Sequence, residues 1–155
     1  MKQAQNSPAS SIGAQHIENI AFDQTEQKSV SAKTKAVIFW IATGLLSLGM
    51  LSGGIGQLLR AKFNVDGMIH LGYPLYVMSI VGAWKILGII AILVPGKPLL
   101  KEWAYAGLFF AMSGAVVSHI ASGDGFAGFV APLVFMILTV VSWWLRPAGR
   151  KLSVL

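Results

Sequence analysis

The chain has 155 residues, 55% of them hydrophobic and only 12% charged, and its mean hydropathy is +0.67; an average soluble domain carries about 25% charged residues. This excludes a soluble globular domain, a disordered chain and a nucleic-acid binder, and the net charge of +6 reads as membrane flanks rather than a polyanion surface. The absence of cysteine removes disulfides, thiol catalysis and thiolate metal sites.

Residues 1–35 are polar and rich in Ser, Gln and Ala. Such a stretch has too little apolar surface to offset its ordering entropy, so it is expected to be a disordered tail. It is not a cleavable signal peptide, because the apolar run after it starts late and runs too long.

Four apolar runs follow: Ala36–Leu59, Tyr73–Val94, Trp103–Ala121 and Phe126–Leu145, of 24, 22, 19 and 20 residues. About 20 apolar residues cross the hydrocarbon core as a helix. The connections of 13, 8 and 4 residues favour sequential antiparallel neighbours. The expected fold is therefore all-α: a four-helix transmembrane bundle running up-down-up-down in the lipid bilayer, with a tail at 146–155. Lys2, Lys28, Lys33, Lys35, Lys97, Lys101, Arg146, Arg150 and Lys151 fall on one side of this arrangement, and only Arg60 and Lys62 on the other. This bias places both termini in the cytoplasm of a cell whose plasma membrane, the bacterial inner membrane, holds the chain. Trp40, Trp103, Tyr105, Trp143 and Trp144 would form the inner aromatic belt, with Tyr73 and Tyr76 at the outer one.

Gly49, Gly53 and Gly56 form a small-residue stripe in the first span, with Ser52 and Gly54 beside it; Gly82 and Gly88 do the same in the second, and Gly107, Ala111 and Ala115 more weakly in the third. Small residues let helices approach closely in lipid, so these positions are read as packing seams. The run 122–128 is a poor helix former and Pro132 follows, so the start of the fourth span is expected to bend, to begin as a half-buried loop, or to be simply a loose helix start.

Lys85 lies near the middle of the second span. A charged lysine there costs about 2.5–3.5 kcal/mol on insertion scales, and such residues are functional candidates by default. Gly82 and Gly88, three residues to either side, direct it into the bundle. Its state is open among a stretched pair with Glu102, a neutral amine, a cation awaiting an anionic or carbonyl-bearing ligand, and a side chain that merely snorkels to carbonyls and water. Ser113 is the polar residue at its depth in the third span. At the outer side, His119 and Asp124 are five apart and His70 and Asp66 lie nearby. A metal site or proton relay there is the weaker reading, for lack of fixed ligand spacing; a hydrogen bond from His119 to Asp124 that closes the turn into the fourth span is the specific one. No catalytic constellation emerges, and Gly53-Gly54-Ile55-Gly56 is no phosphate loop because no strand precedes it.

The segments Leu71-Gly72-Tyr73-Pro74, Gly82-Ala83-Trp84-Lys85-Ile86-Leu87-Gly88, Leu93-Val94-Pro95-Gly96, Lys101-Glu102-Trp103-Ala104-Tyr105-Ala106-Gly107 and Gly114 through Asp124 resemble the DoxX-like family of small four-helix membrane proteins. The similarity spans about residues 36–145. The resemblance implies that Lys85, Glu102, Tyr105, His119 and Asp124 occupy the family's characteristic positions. It also links the chain to membrane redox work, namely quinone-coupled thiosulfate oxidation and complexes with superoxide-handling enzymes.

Two functions follow as expectations. In the first, a small amphipathic molecule such as a quinone enters the bundle of a redox-accessory protein that is not itself an enzyme. Lys85 binds its oxygen, Glu102 holds Lys85 or exchanges protons, Trp84, Tyr105, Met112 and Ser113 line the pocket, and His119 and Asp124 close the outer mouth. In the second, the protein is an assembly subunit without a ligand, and the first-span glycines dock a membrane partner or a second copy.

Overall fold

A computed structural model describes the backbone of residues 8–152 and the side chains from Asn19 onward except Ala21. Within these residues the chain forms α1 (Pro8–Leu58), α2 (Lys62–His70), α3 (Leu75–Leu93), α4 (Pro98–Ala121), α5 (Phe126–Trp144) and a 3-10 turn at Ala148–Arg150. Four helices are long and apolar enough to cross a membrane: α1 over Phe22–Leu58, α3, α4 and α5.

The chain divides into two units, Met1–Val37 and Ile38–Leu155. In the first, residues 8–35, expected to be disordered, are helical. Ala, Gln, Glu and Lys are good helix formers, and lengthening an existing helix requires no new nucleus. Every described side chain from 19 to 35 is exposed. Residues 1–7 of the expected tail lie outside the described residues, as do 153–155.

In the second unit, α3 packs on α4 and α4 on α5. The part of α1 from Ile38 onward closes the ring. It meets α3 where Gly54 faces Gly82, and it meets α5 where Gly49 lies under the Phe135 ring and Thr43 bonds Ser142. Leu46, Met50, Ile89, Ile92, Leu108 and Met112 fill the centre, with Tyr105 beside them.

The glycines sort differently from the expected stripe. A methyl group at Gly54 would lie 2.9 Å from the Gly82 carbonyl oxygen, and one at Gly82 equally close to that of Gly54. This backbone contact is the α1–α3 seam. Gly49 and Gly56 are also tight; a methyl group at Gly56 would lie 2.8 Å from Asn64 Nδ2. Gly53, read as part of the seam, faces open space, and Gly88 has only an ordinary contact with Leu108. One residue along a helix turns the side chain by about 100°, so Gly54 and Gly53 point to different neighbours.

Three connections differ from expectation. The 13-residue first loop contains α2, because Lys62, Asn64, Asp66 and His70 interrupt the apolar run without interrupting a helix. The third crossing helix starts at Pro98 rather than Trp103. Gly96 and Lys97 take left-handed backbone angles (φ 69° and 52°), and Pro98 then supplies the first-turn residue that lacks an N–H to satisfy. Lys101 and Glu102 are therefore helical. The fourth helix begins directly at Phe126 with Pro132 inside it, not as a half-buried loop. The C-terminal segment is no free tail either: Arg146 is buried, and Arg150 Nη1 donates to the Ile92 carbonyl (3.0 Å).

Candidate functional site

Lys85 is half-buried on α3, and no hydrogen bond or ion pair joins it to any described residue. It lines a cavity of about 470 Å³ together with Gly53, Gln57, Met112, Phe135 and Pro132, with Phe63 and Met68 of α2 at its end. Gln57 Oε1 is buried there without a partner. Helical side chains lean toward the helix N-terminus. Because α1 and α3 run antiparallel, Gln57 and Lys85 lean toward each other from the two sides of the Gly54–Gly82 contact. The cavity thus holds an unpaired donor and an unpaired acceptor in apolar walls, the usual make-up of a small-molecule site.

α2 is fastened over this end of the bundle. His70 Nε2 donates to Asp124 Oδ1 (2.7 Å), and His119 Nδ1 donates to Asp124 Oδ2 (2.6 Å). The His119–Asp124 bond was expected; His70 ties α2 to it. These hydrogen bonds, that from His119 first and that from His70 second, hold the Asp124 carboxyl below the ordinary carboxylate range. Gly128 makes room, since a methyl group there would sit 2.8 Å from Asp124 Cβ. Tyr73 donates to Ser118 Oγ (2.7 Å), whose own proton goes to the Gly114 carbonyl. Among the described residues no three metal-ligating side chains are arranged around a common point.

Glu102 does not meet Lys85. Its Oε1 accepts from Arg146 Nη2 (2.7 Å) and its Oε2 from Trp143 Nε1 (2.7 Å). Two strong donors just across the α4–α5 interface take both oxygens, whereas Lys85 lies turns deeper. The Arg146 guanidinium also stacks over Tyr105 and Trp143, 4.9 and 5.6 Å from the ring centroids. Tyr105, expected in the ligand pocket, belongs to this end as well. Thr43 donates to the Phe39 carbonyl, so Ser142 donates to Thr43 and Tyr105 to Ser142 (2.8 Å). This chain of hydroxyls has a fixed direction and ends on backbone.

The remaining sequence candidates separate. Met112 and His119 line the Lys85 cavity. Trp84 lines a neighbouring groove that also includes Lys85. Ser113 hydrogen-bonds the Phe110 carbonyl of its own helix (3.1 Å) and lines neither. Lys101 was missed as anything but a loop charge. It is 1% exposed and donates to the carbonyls of Ala91 (3.1 Å), Ile92 (2.9 Å) and Val94, capping the negative end of α3. The Gly96–Lys97–Pro98 turn was the signal that could have placed it on a helix. Gln57 was also missed; its position one turn beyond Gly53 pointed to the same face.

No curated protein and no solved structure matches the chain. The model of the DoxX-like family matches residues 41–142, well over half of the chain, and takes in at least part of each of the four crossing segments. With four membrane-crossing helices around a lysine-lined cavity, the chain belongs to the DoxX-like family.

Proposed function

We propose that this protein binds a small amphipathic molecule in the cavity at Lys85 and serves as an accessory to membrane redox chemistry, a quinone being the ligand the family resemblance suggests. The observation that carries the reading is that Lys85 and Gln57, each without a hydrogen-bond partner among the described residues, line one cavity. A ligand oxygen satisfies the first, and the lysine's remaining protons or a ligand hydroxyl satisfy the second. The basic end faces the cytoplasm of the inner membrane, by the excess of Lys and Arg there, and α2 closes the outer mouth.

The test is thermal unfolding of the detergent-extracted full chain with a short-chain benzoquinone or a fatty acid. A ligand at about 100 times its Kd adds about 2.7 kcal/mol, which raises Tm by several degrees. At least one of the two is expected to stabilise the wild type and Lys85→Arg but not Lys85→Met. Equal shifts in wild type and Lys85→Met, or none in any of the three, overturn the proposal.

A second reading, an assembly subunit docking another membrane protein or a second copy, is supported by the unburied helix of the first unit, where Ile20, Phe22 and Val30 are all exposed. Crosslinking in native membranes that yields one partner, lost on deleting residues 19–35, would favour it.

A further inference from the structure

Among the described residues from Ile38 onward there are three acidic side chains, and each is engaged: Asp66 by Lys62, Glu102 by Arg146 and Trp143, and Asp124 by His70 and His119. Of the two lysines drawn into this unit, Lys101 is satisfied by the carbonyls at the end of α3, and Lys85 is the one with no partner among the described residues. A buried charge without a counter-charge is costly, and here nothing in the bundle supplies one. A ligand that does so must be an anion, and with one lysine to answer it, an anion of single charge.

Lys85 also lines two spaces. Besides the cavity under α2 it borders a groove of about 440 Å³ between α3 and α4. Gly88, Ala91, Ala104, Gly107 and Ala111 floor this groove. A methyl group at Gly107 would touch nothing within 4 Å. Trp84, Leu87, Leu100 and Trp103 stand exposed at its rim. The groove runs from Val81 to Ala91 along α3, about 15 Å of helix rise, and lies within segments that cross the membrane. It therefore opens sideways onto lipid. Lys85 is its sole charged or hydrogen-bonding side chain apart from the Trp indoles, whereas the cavity under α2 has Gln57, Asn64, Tyr73 and His119. The cavity, with hydrogen-bonding side chains set in its apolar walls, suits a head group, and the groove suits a tail.

We infer that the ligand is a single-chain amphiphile with a monoanionic head, a fatty-acid carboxylate or a monoanionic phosphate ester. The head pairs with Lys85 and the tail lies in the α3–α4 groove, through which it arrives from the bilayer. This rests on the reading that the Lys85 cavity takes a ligand, and it favours an anionic head over a neutral quinone.

The test uses the full chain in phosphatidylcholine nanodiscs and a fatty acid carrying a photoactivatable diazirine midway along its chain. Labelling is expected on the α3 and α4 peptides that contain Ala91 and Gly107. Palmitate or a monoanionic alkyl phosphate should compete for it, and which competes better identifies the head. Hexadecanol should not compete. Lys85→Met and Gly107→Leu should each cut competable labelling tenfold or more, and Lys85→Arg should keep it; size-exclusion profiles and Tm verify that each variant is folded. Competition by hexadecanol as strong as by palmitate overturns the anionic class. Labelling that needs Lys85 but ignores Gly107→Leu overturns the groove while leaving the Lys85 cavity intact. Labelling indifferent to both, with the benzoquinone still stabilising the wild type in a Lys85-dependent way, overturns this inference alone; indifference in both assays removes the binding reading too.

Discussion

Gly54 and Gly82 bring the backbones of α1 and α3 together, each one's missing methyl group being 2.9 Å from the other's carbonyl oxygen. Lipid offers no hydrophobic drive for helices to associate, so such close backbone contact is a main source of their cohesion. Lys85 and Gln57 each lie three residues beyond this contact on their own helix, and both line the cavity.

Neighbouring glycines should therefore respond oppositely to substitution. Gly54→Leu drives a side chain into the α3 backbone and is expected to destabilise by about 3 kcal/mol or more, the upper range of overpacking. Gly53→Leu meets open space and should leave Tm within a few degrees of wild type while filling the cavity and weakening ligand binding. Thermal unfolding of the two variants in the same detergent checks this; equal destabilisation would contradict the assignment of the seam.

At the basic end, Arg146 is nearly fully buried whereas Glu102 is 27% exposed. Removing the carboxylate strands a buried cation whose Nη1 already lacks a partner. Glu102→Gln keeps the Trp143 hydrogen bond but not the charge, so it isolates the ion pair. Combined with Arg146→Met, it should show a coupling free energy of about 1–3 kcal/mol in a double-mutant cycle. Strict additivity of the two Tm changes would mean the pair contributes nothing.

The latch on α2 depends on pH through Asp124. A carboxyl whose pKa is lowered by folding contributes stability above its unfolded pKa, about 3.9, and loses it as pH falls through the lower folded value. Asp124→Asn should lower Tm by a few degrees at pH 7. The gap between variant and wild type should narrow once pH drops below about 4. Hydrogen exchange should speed up in α2 and in the turn at 122–125, because His70 then loses its anchor. A gap that is unchanged down to pH 3, or an α2 that exchanges as before, would contradict the latch.

The crossing helices were legible because lipid imposes a length and a polarity on each, and the apolar runs of α3 and α5 match their helices to within about two residues. What polar residues do at helix ends was not legible from the same signal. Lys101 and Glu102 stand just before the third apolar run, yet both sit in the first turns of α4, because backbone turn chemistry at Gly96–Pro98 sets that start and not hydropathy. The polar residues of α2 likewise hid a helix. Local spacing showed the His119–Asp124 bond, five residues apart, while His70 joins it across 54 residues of chain, a distance no spacing rule reaches. Lys85, singled out by its place inside the second apolar run, is half-buried on α3. Of the states open to it, the pair with Glu102 is not formed, because Arg146 at the far end of the chain takes that carboxylate. In the stretch before Ile38, composition did not show the helical backbone.

The most direct measurement is native mass spectrometry of the gently extracted full chain, with organic extraction and identification of whatever remains bound, alongside folded Lys85→Met and Lys85→Arg. The account predicts one defined small amphipath in the wild type and in Lys85→Arg, and its loss from Lys85→Met. Bulk phospholipid alone in all three, or the same molecule retained in Lys85→Met, would contradict it.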